Sequence, residues 1–142
     1  MNLRDVIPTA ENSSNFDVVP ESITEVGTTL ENLKAAVCGE TGASAKYAAC
    51  AAAAKEQGFD QIARLFEATS AAEQIHIGLE AGVIAEIEPG YERPAAPEAE
   101  GIATDLNLIA GALGEIYETS DMYPSFIKVA QEEGNKKAEF VF

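Results

Sequence analysis

The sequence predicts an all-α protein, a bundle of long helices in one domain. Three features carry that expectation. A proline-free stretch from Phe59 repeats apolar residues at helical spacing, and a helix-start signature at Thr28 opens another such stretch. The Pro- and Gly-rich segment 89–101 between them and the C-terminal third is long enough to run the length of a bundle. With 142 residues and 46% apolar content, the chain has room for one domain and one core.

Residues 1–27 mix Asn, Ser, Pro and acidic side chains without helical period and stay unassigned, although FDVV at 16–19 could make a short extended contact. Thr28-x-x-Glu31 fits a capping box, and Leu33, Val37, Ser44, Tyr47, Ala51 and Ala54 continue one stripe, so helix A is expected over 28–57. Gly58 is placed to end it. Helix B follows over 59–88, with Ile62, Phe66, Thr69, Val83 and Ile87 on its stripe and a length of about 45 Å at 1.5 Å per residue. After the connection 89–101, helix C is expected over 102–133, kinked or bulged near Tyr123 because Pro124 lies inside it. Residues 135–142 begin a fourth helix.

Nine basic and twenty-four acidic residues give a net charge of -15. Such a chain repels nucleic acid and anionic membrane surfaces and draws cations, though plain solubility explains acidity equally well. No apolar run reaches the roughly 18–20 residues needed to span a bilayer, and the start lacks a secretory apolar stretch, so a cytoplasmic location is expected. Cys38 and Cys50, about 18 Å apart on one helix, cannot bond to each other and read as buried small hydrophobes. The absence of a Cys-x-x-Cys pair excludes rubredoxin-type and zinc-ribbon sites within these residues.

The halves of the chain resemble each other. LKAAVCGE at 33–40 aligns with LIAGALGE at 108–115, and KEQGFDQIARLF at 55–66 with AQEEGNKKAEFVF at 130–142, which reads as an internal duplication. The second half is one residue longer between its Gly-Glu and its later glycine, as an insertion near the proline would produce. Phe142 then matches Phe66, so the chain stops before a second counterpart of Glu73 and His76.

Charged side chains sit where apolar ones belong. The helix A stripe passes through Glu40, the helix B stripe through Glu73 and His76, and the matching positions of helix C are Glu115 and Glu118. Burying several carboxylates costs several kcal/mol each unless a cation or proton compensates, and a metal pair compensates all of them at once. Glu-x-x-His puts both groups on one helix face. Helical bundles holding two metals take one Glu from each of two helices and a Glu-x-x-His from each of the other two. Oxygen and nitrogen donors suit iron, manganese or a mixed pair.

The runs AAVCGETGASAKY, KEQGFDQIARLFEATSAAEQIH, GEIYETSDMYPSF and AQEEG resemble the helix A, B and C segments of the rubrerythrin family, over roughly residues 30–80 and 105–142. The resemblance implies a ferritin-like four-helix bundle with a long B–C crossover, its fourth helix truncated and completed or covered by a partner chain. It implies two non-haem irons held by Glu40, Glu73, His76, Glu115 and Glu118, with Tyr47 and Tyr123 beside them. It further implies peroxide reduction or ferrous iron oxidation, an external rubredoxin-like electron donor, and a homodimer, with exchanged helices an option. In the family one iron commonly shifts between the histidine and the Glu matching Glu118 with redox state. The departures are the missing Cys-x-x-Cys domain and the missing second Glu-x-x-His, the chain having one histidine.

Three functions are consistent with this sequence. One is a peroxide-reducing di-iron protein; another is a ferroxidase whose site forms at a dimer interface from two Glu40 and Glu73-x-x-His76 sets; the third is a degenerate bundle with a structural role. Tyr47 and Tyr123 read equally as core tyrosines, and Glu80 reads as a boundary residue facing water.

Overall fold

A computed structural model describes residues 22–142; the FDVV segment at 16–19 lies outside them. Helix α1 spans Thr29–Glu56. Its start is a reciprocal cap: the Glu31 amide donates to Thr28 Oγ1 at 3.3 Å, and the Thr28 amide donates to Glu31 Oε2 at 2.8 Å. Gly58 ends it at φ +84°, where a glycine has no Cβ penalty. The amides of Gly58 and Phe59 there close onto the carbonyls of Lys55 and Ala54. Helix α2, Asp60–Ile87, returns antiparallel along α1, joined by hydrogen bonds between Ser44 and Ser70 and by the Lys34–Glu88 ion pair.

The connection passes over α1, where Lys46 donates to the Glu100 carbonyl at 2.6 Å. At Gly101 the approach is so close that a Cβ would stand 2.5 Å from the Ala49 carbonyl oxygen. Helix α3, Thr104–Tyr117, starts two residues later than the sequence suggested, because no side chain at Ala103 can cap it. The cap is borrowed from α1: Gln57 Oε1 accepts from the Thr104 amide at 2.9 Å and from its hydroxyl at 2.8 Å.

Residues Glu118–Met122 form a π-helical segment, followed by α4, Tyr123–Glu132. Pro124 sits in the first turn of α4, where its missing amide costs little. Thr119 and Ser120 hydroxyls donate to the Glu115 and Ile116 carbonyls. Gly134, at φ +72°, ends α4 with the same pair of bonds seen at Gly58, to Gln131 and Ala130, and α5, Lys136–Val141, begins the return.

The duplication is therefore written in the backbone. Asn32 and Asn107, both buried, each bond both backbone groups of the residue five positions earlier, Gly27 and Ile102. The half-to-half offset is 75 residues up to Glu40 and Glu115 and 76 from Tyr47 and Tyr123 onward, so the π-helical segment absorbs the extra residue.

Leu33, Val37, Ile77 and Ile84 pack with Ala130 and Ala138 at one end of the molecule, and Tyr47, Cys50, Ala51 and Phe66 at the other. Glu40 lies in α1 between these clusters. Three sequence expectations need correction. Cys38 is exposed, because it follows Val37 off the buried stripe, while Cys50 is buried. Ile87 is exposed at the end of α2, where the described residues bring nothing over it. Glu80 does not face water but is fully buried, because α4 crosses above it with Tyr123. Among the described residues no helix is long and apolar enough to cross a membrane.

Candidate metal centre

Glu40 on α1 and Glu73 on α2 face each other across the hairpin, 1% and 2% exposed. His76, one turn beyond Glu73, places Nδ1 2.9 Å from Glu73 Oε2 and 3.8 Å from Glu40 Oε1. One donor atom from each of the three lies within 4.8 Å of the others. Glu40 Oε2 is buried without a hydrogen-bond partner. The sequence placed His76 on the buried face, but its side chain is 47% exposed. Glu73 points inward toward Glu40, whereas the His76 side chain is half exposed.

Glu115 and Glu118 approach from α3 and the π-helical segment. They are not part of the trio, yet their charges reach it. Burial foremost, then the adjacent Glu40 carboxylate and the charges of Glu115 and Glu118, push Glu73 up to about 9. Glu118 is pushed up to about 7 by burial, with Glu40 and Glu115 adding. These groups resist ionising together, and a cation among them would remove that cost.

The tyrosines cross between the halves. Tyr47 of the first half donates to Glu115 of the second at 2.6 Å, and Tyr123 of the second donates to Glu40 of the first. Burial, reinforced by neighbouring carboxylates, raises both phenols well above the ordinary value, so they stay protonated donors. A largely apolar cleft of about 250 Å³, lined by Tyr47, Phe66, Leu108, Gly111 and Glu115, opens onto the Tyr47–Glu115 pair. Gly111 leaves room for it, since a Cβ there would stand 3.2 Å from the Tyr47 ring.

The Rubrerythrin family model matches residues 31–142. The chain belongs to the rubrerythrin family. Nigerythrin of Nitratidesulfovibrio vulgaris is 64% identical over all 142 residues, which cover 70% of that protein. Rubrerythrin of the same organism is 36% identical over 116 residues, 80% of this chain and 59% of the relative. The chain thus spans little more than half the length of that rubrerythrin. Nigerythrin in its fully reduced, all-ferrous state superposes with a TM-score of 0.85 over 99% of this chain and 70% of the other, and the mixed-valence state with 0.83. Rubrerythrins are non-haem di-iron proteins of ferritin-like fold, and this chain has that helical architecture.

The residues present fit iron. The donors are carboxylate oxygens and one imidazole, Glu40 offers a buried oxygen with no other partner, and a cation would relieve the crowding of the carboxylates. Glu80 is the residue that the sequence pattern misses. Its only signal is its place seven residues after Glu73 on the same face of α2, and nothing local marks it as buried.

Proposed function

We propose that the chain is a rubrerythrin-type oxidoreductase domain in which Glu40, Glu73, His76, Glu115 and Glu118 hold two non-haem irons and hydrogen peroxide is the oxidant. The observation that carries this reading is the Glu40–Glu73–His76 trio, two buried carboxyls and an imidazole at their open edge, with its unpartnered Glu40 oxygen. When bound, two ferrous ions would supply the two electrons that convert hydrogen peroxide and two protons to two waters. The chain's own residues position that chemistry. Glu40 and Glu73 present oxygens from facing helices, and His76 offers a nitrogen at the open edge. Tyr47 and Tyr123 hold Glu115 and Glu40 by one charge-assisted hydrogen bond each. The cleft beside Tyr47 admits a molecule the size of peroxide. Return of electrons falls to an external donor of rubredoxin type, in a cytoplasmic setting where oxidative stress is countered.

A second reading, ferroxidase or iron handling at a two-fold interface, is favoured by the exposure of His76 together with exposed Leu65 and Leu79 on the same side of α2. There a second copy would bring its own Glu73 and His76. Metal analysis separates the two: two irons per chain support the first, and one per chain in a dimer the second. Glu73→Ala combined with His76→Ala is expected to abolish iron binding. Iron retained in that double variant would overturn both readings.

A further inference from the structure

Glu80 on α2 is 0% exposed, and its Oε2 has no hydrogen-bond partner. Its Oε1 lies 3.1 Å from the Tyr123 hydroxyl, which also contacts Glu40 Oε1. A phenol carries one hydrogen and cannot give a full hydrogen bond to each of two carboxylates, least of all where one of them is sealed from water. One of the two carboxyls must therefore bring a hydrogen of its own. The Tyr123 hydroxyl donates to Glu40, and Glu80 is the more deeply enclosed of the two carboxyls, with an oxygen that meets nothing. Glu40 also has a use for charge, because it groups with Glu73 and His76 where a cation could sit. Glu80 has none: its free oxygen meets no cation, and no basic group among the described residues is paired with it. An ionised carboxylate there would cost several kcal/mol.

We propose that Glu80 is a positioning residue for Tyr123, donating its carboxyl hydrogen to the phenol oxygen so that the phenol hydrogen stays on Glu40. The result is a chain of three groups from three helices, Glu80 to Tyr123 to Glu40, in which each bond polarises the next. The charged and titratable groups around Glu80 agree with a neutral carboxyl. Glu40 on α1 and Glu118 in the π-helical segment are negative neighbours, Tyr123 comes from α4, and Tyr91 comes from the connection. Burial, with Glu40 adding to it and the Tyr123 bond opposing, pushes Glu80 up to about 8. The consequence for the centre rests on the reading of Glu40 as an iron ligand: Tyr123 fixes the orientation of the Glu40 carboxylate, whose Oε2 has no other partner.

Infrared difference spectroscopy tests the chain directly on the purified protein, with and without iron. At neutral pH the wild type minus Glu80→Gln spectrum is expected to show a protonated-carboxyl carbonyl band that shifts in heavy water. In Tyr123→Phe the band moves to higher frequency, because the carboxyl has lost its acceptor. A spectrum without that band, or a band indifferent to Tyr123→Phe, overturns the proposal. Glu80→Leu removes the donor while filling the space. It is expected to weaken iron binding about fivefold, which corresponds to about 1 kcal/mol at 1.4 kcal/mol per decade, whereas Glu80→Gln, whose amide can donate, keeps wild-type affinity. Equal affinity in Glu80→Leu and wild type would overturn the positioning role. If the wild-type chain binds no iron, the reading under Proposed function fails, and the carboxyl band still decides the hydrogen-bond chain.

Discussion

Glu73 is held in a place that suits either a proton or a metal, and its neighbours share the constraint. With Glu118 pushed up to about 7, Glu80 to about 8 and Glu73 to about 9, each carboxyl binds its proton more tightly folded than unfolded. The stabilisation from such a group is complete below the ordinary value of 4.5 and is lost as pH rises through the folded value. The metal-free chain is therefore expected to lose thermal stability progressively from about pH 5 to about pH 9, and the iron-loaded chain to vary less over that window. Calorimetry on both forms checks this, and a metal-free Tm that rises across the window would refute it. At this scale the sequence foretells burial where a charge interrupts an apolar stripe at Glu40 and Glu73, whereas Glu115 and Glu118 are only half-buried. It fails at Glu80 because burial there is imposed by Tyr123, 43 residues away in the chain. It fails at His76 because exposure depends on which helices cover α2, a property no local pattern encodes.

The π-helical segment carries the clearest element-scale inference. Glu40 to Tyr47 is seven residues in α1, and Glu115 to Tyr123 is eight across the segment, yet both tyrosines reach a carboxylate of the opposite half. The segment takes up one residue without rotating α4 about its axis. Deleting Ser120 is accordingly expected to give a continuous α-helix, as in α1, that keeps Tyr123, Phe126 and Ala130 on their present faces. Glu118 would be displaced. A continuous helix would put Pro124 in a helix interior, so stability in thermal unfolding should fall by roughly the 3 kcal/mol such a proline costs, while iron per chain falls. Loss of the folded state would show that the segment is needed for packing. This feature is legible in outline, since the one-residue excess near Pro124 is visible in the alignment of the halves. The late start of α3 is not, because its cap comes from Gln57, 47 residues upstream.

For the whole molecule, the open side of α2 is the governing feature. Leu65 and Leu79 are about half exposed beside His76, and Phe140 in α5 is 87% exposed. A strip of this kind, left uncovered by the described residues, is expected to associate with a second copy. Sedimentation should show concentration-dependent dimers that Leu65→Asp combined with Leu79→Asp converts to monomers, and a wild-type monomer at all concentrations would refute the association. The bundle architecture is readable from periodicity and the long connection, but the way its sides are closed is not, because sequence period reports faces and not their coverings. The cap that Gln57 lends to α3 adds a statement about time. Starting a helix is its costly step, and α3 has no start signal of its own. The α1–α2 hairpin, built from contacts near in sequence, is suited to close first and to present Gln57 as the point where α3 begins. Gln57→Ala is accordingly expected to slow folding of the second half more than it destabilises α1 and α2, so that Glu115 and Glu118 join the centre after Glu40 and Glu73, an order that pulsed hydrogen exchange would check.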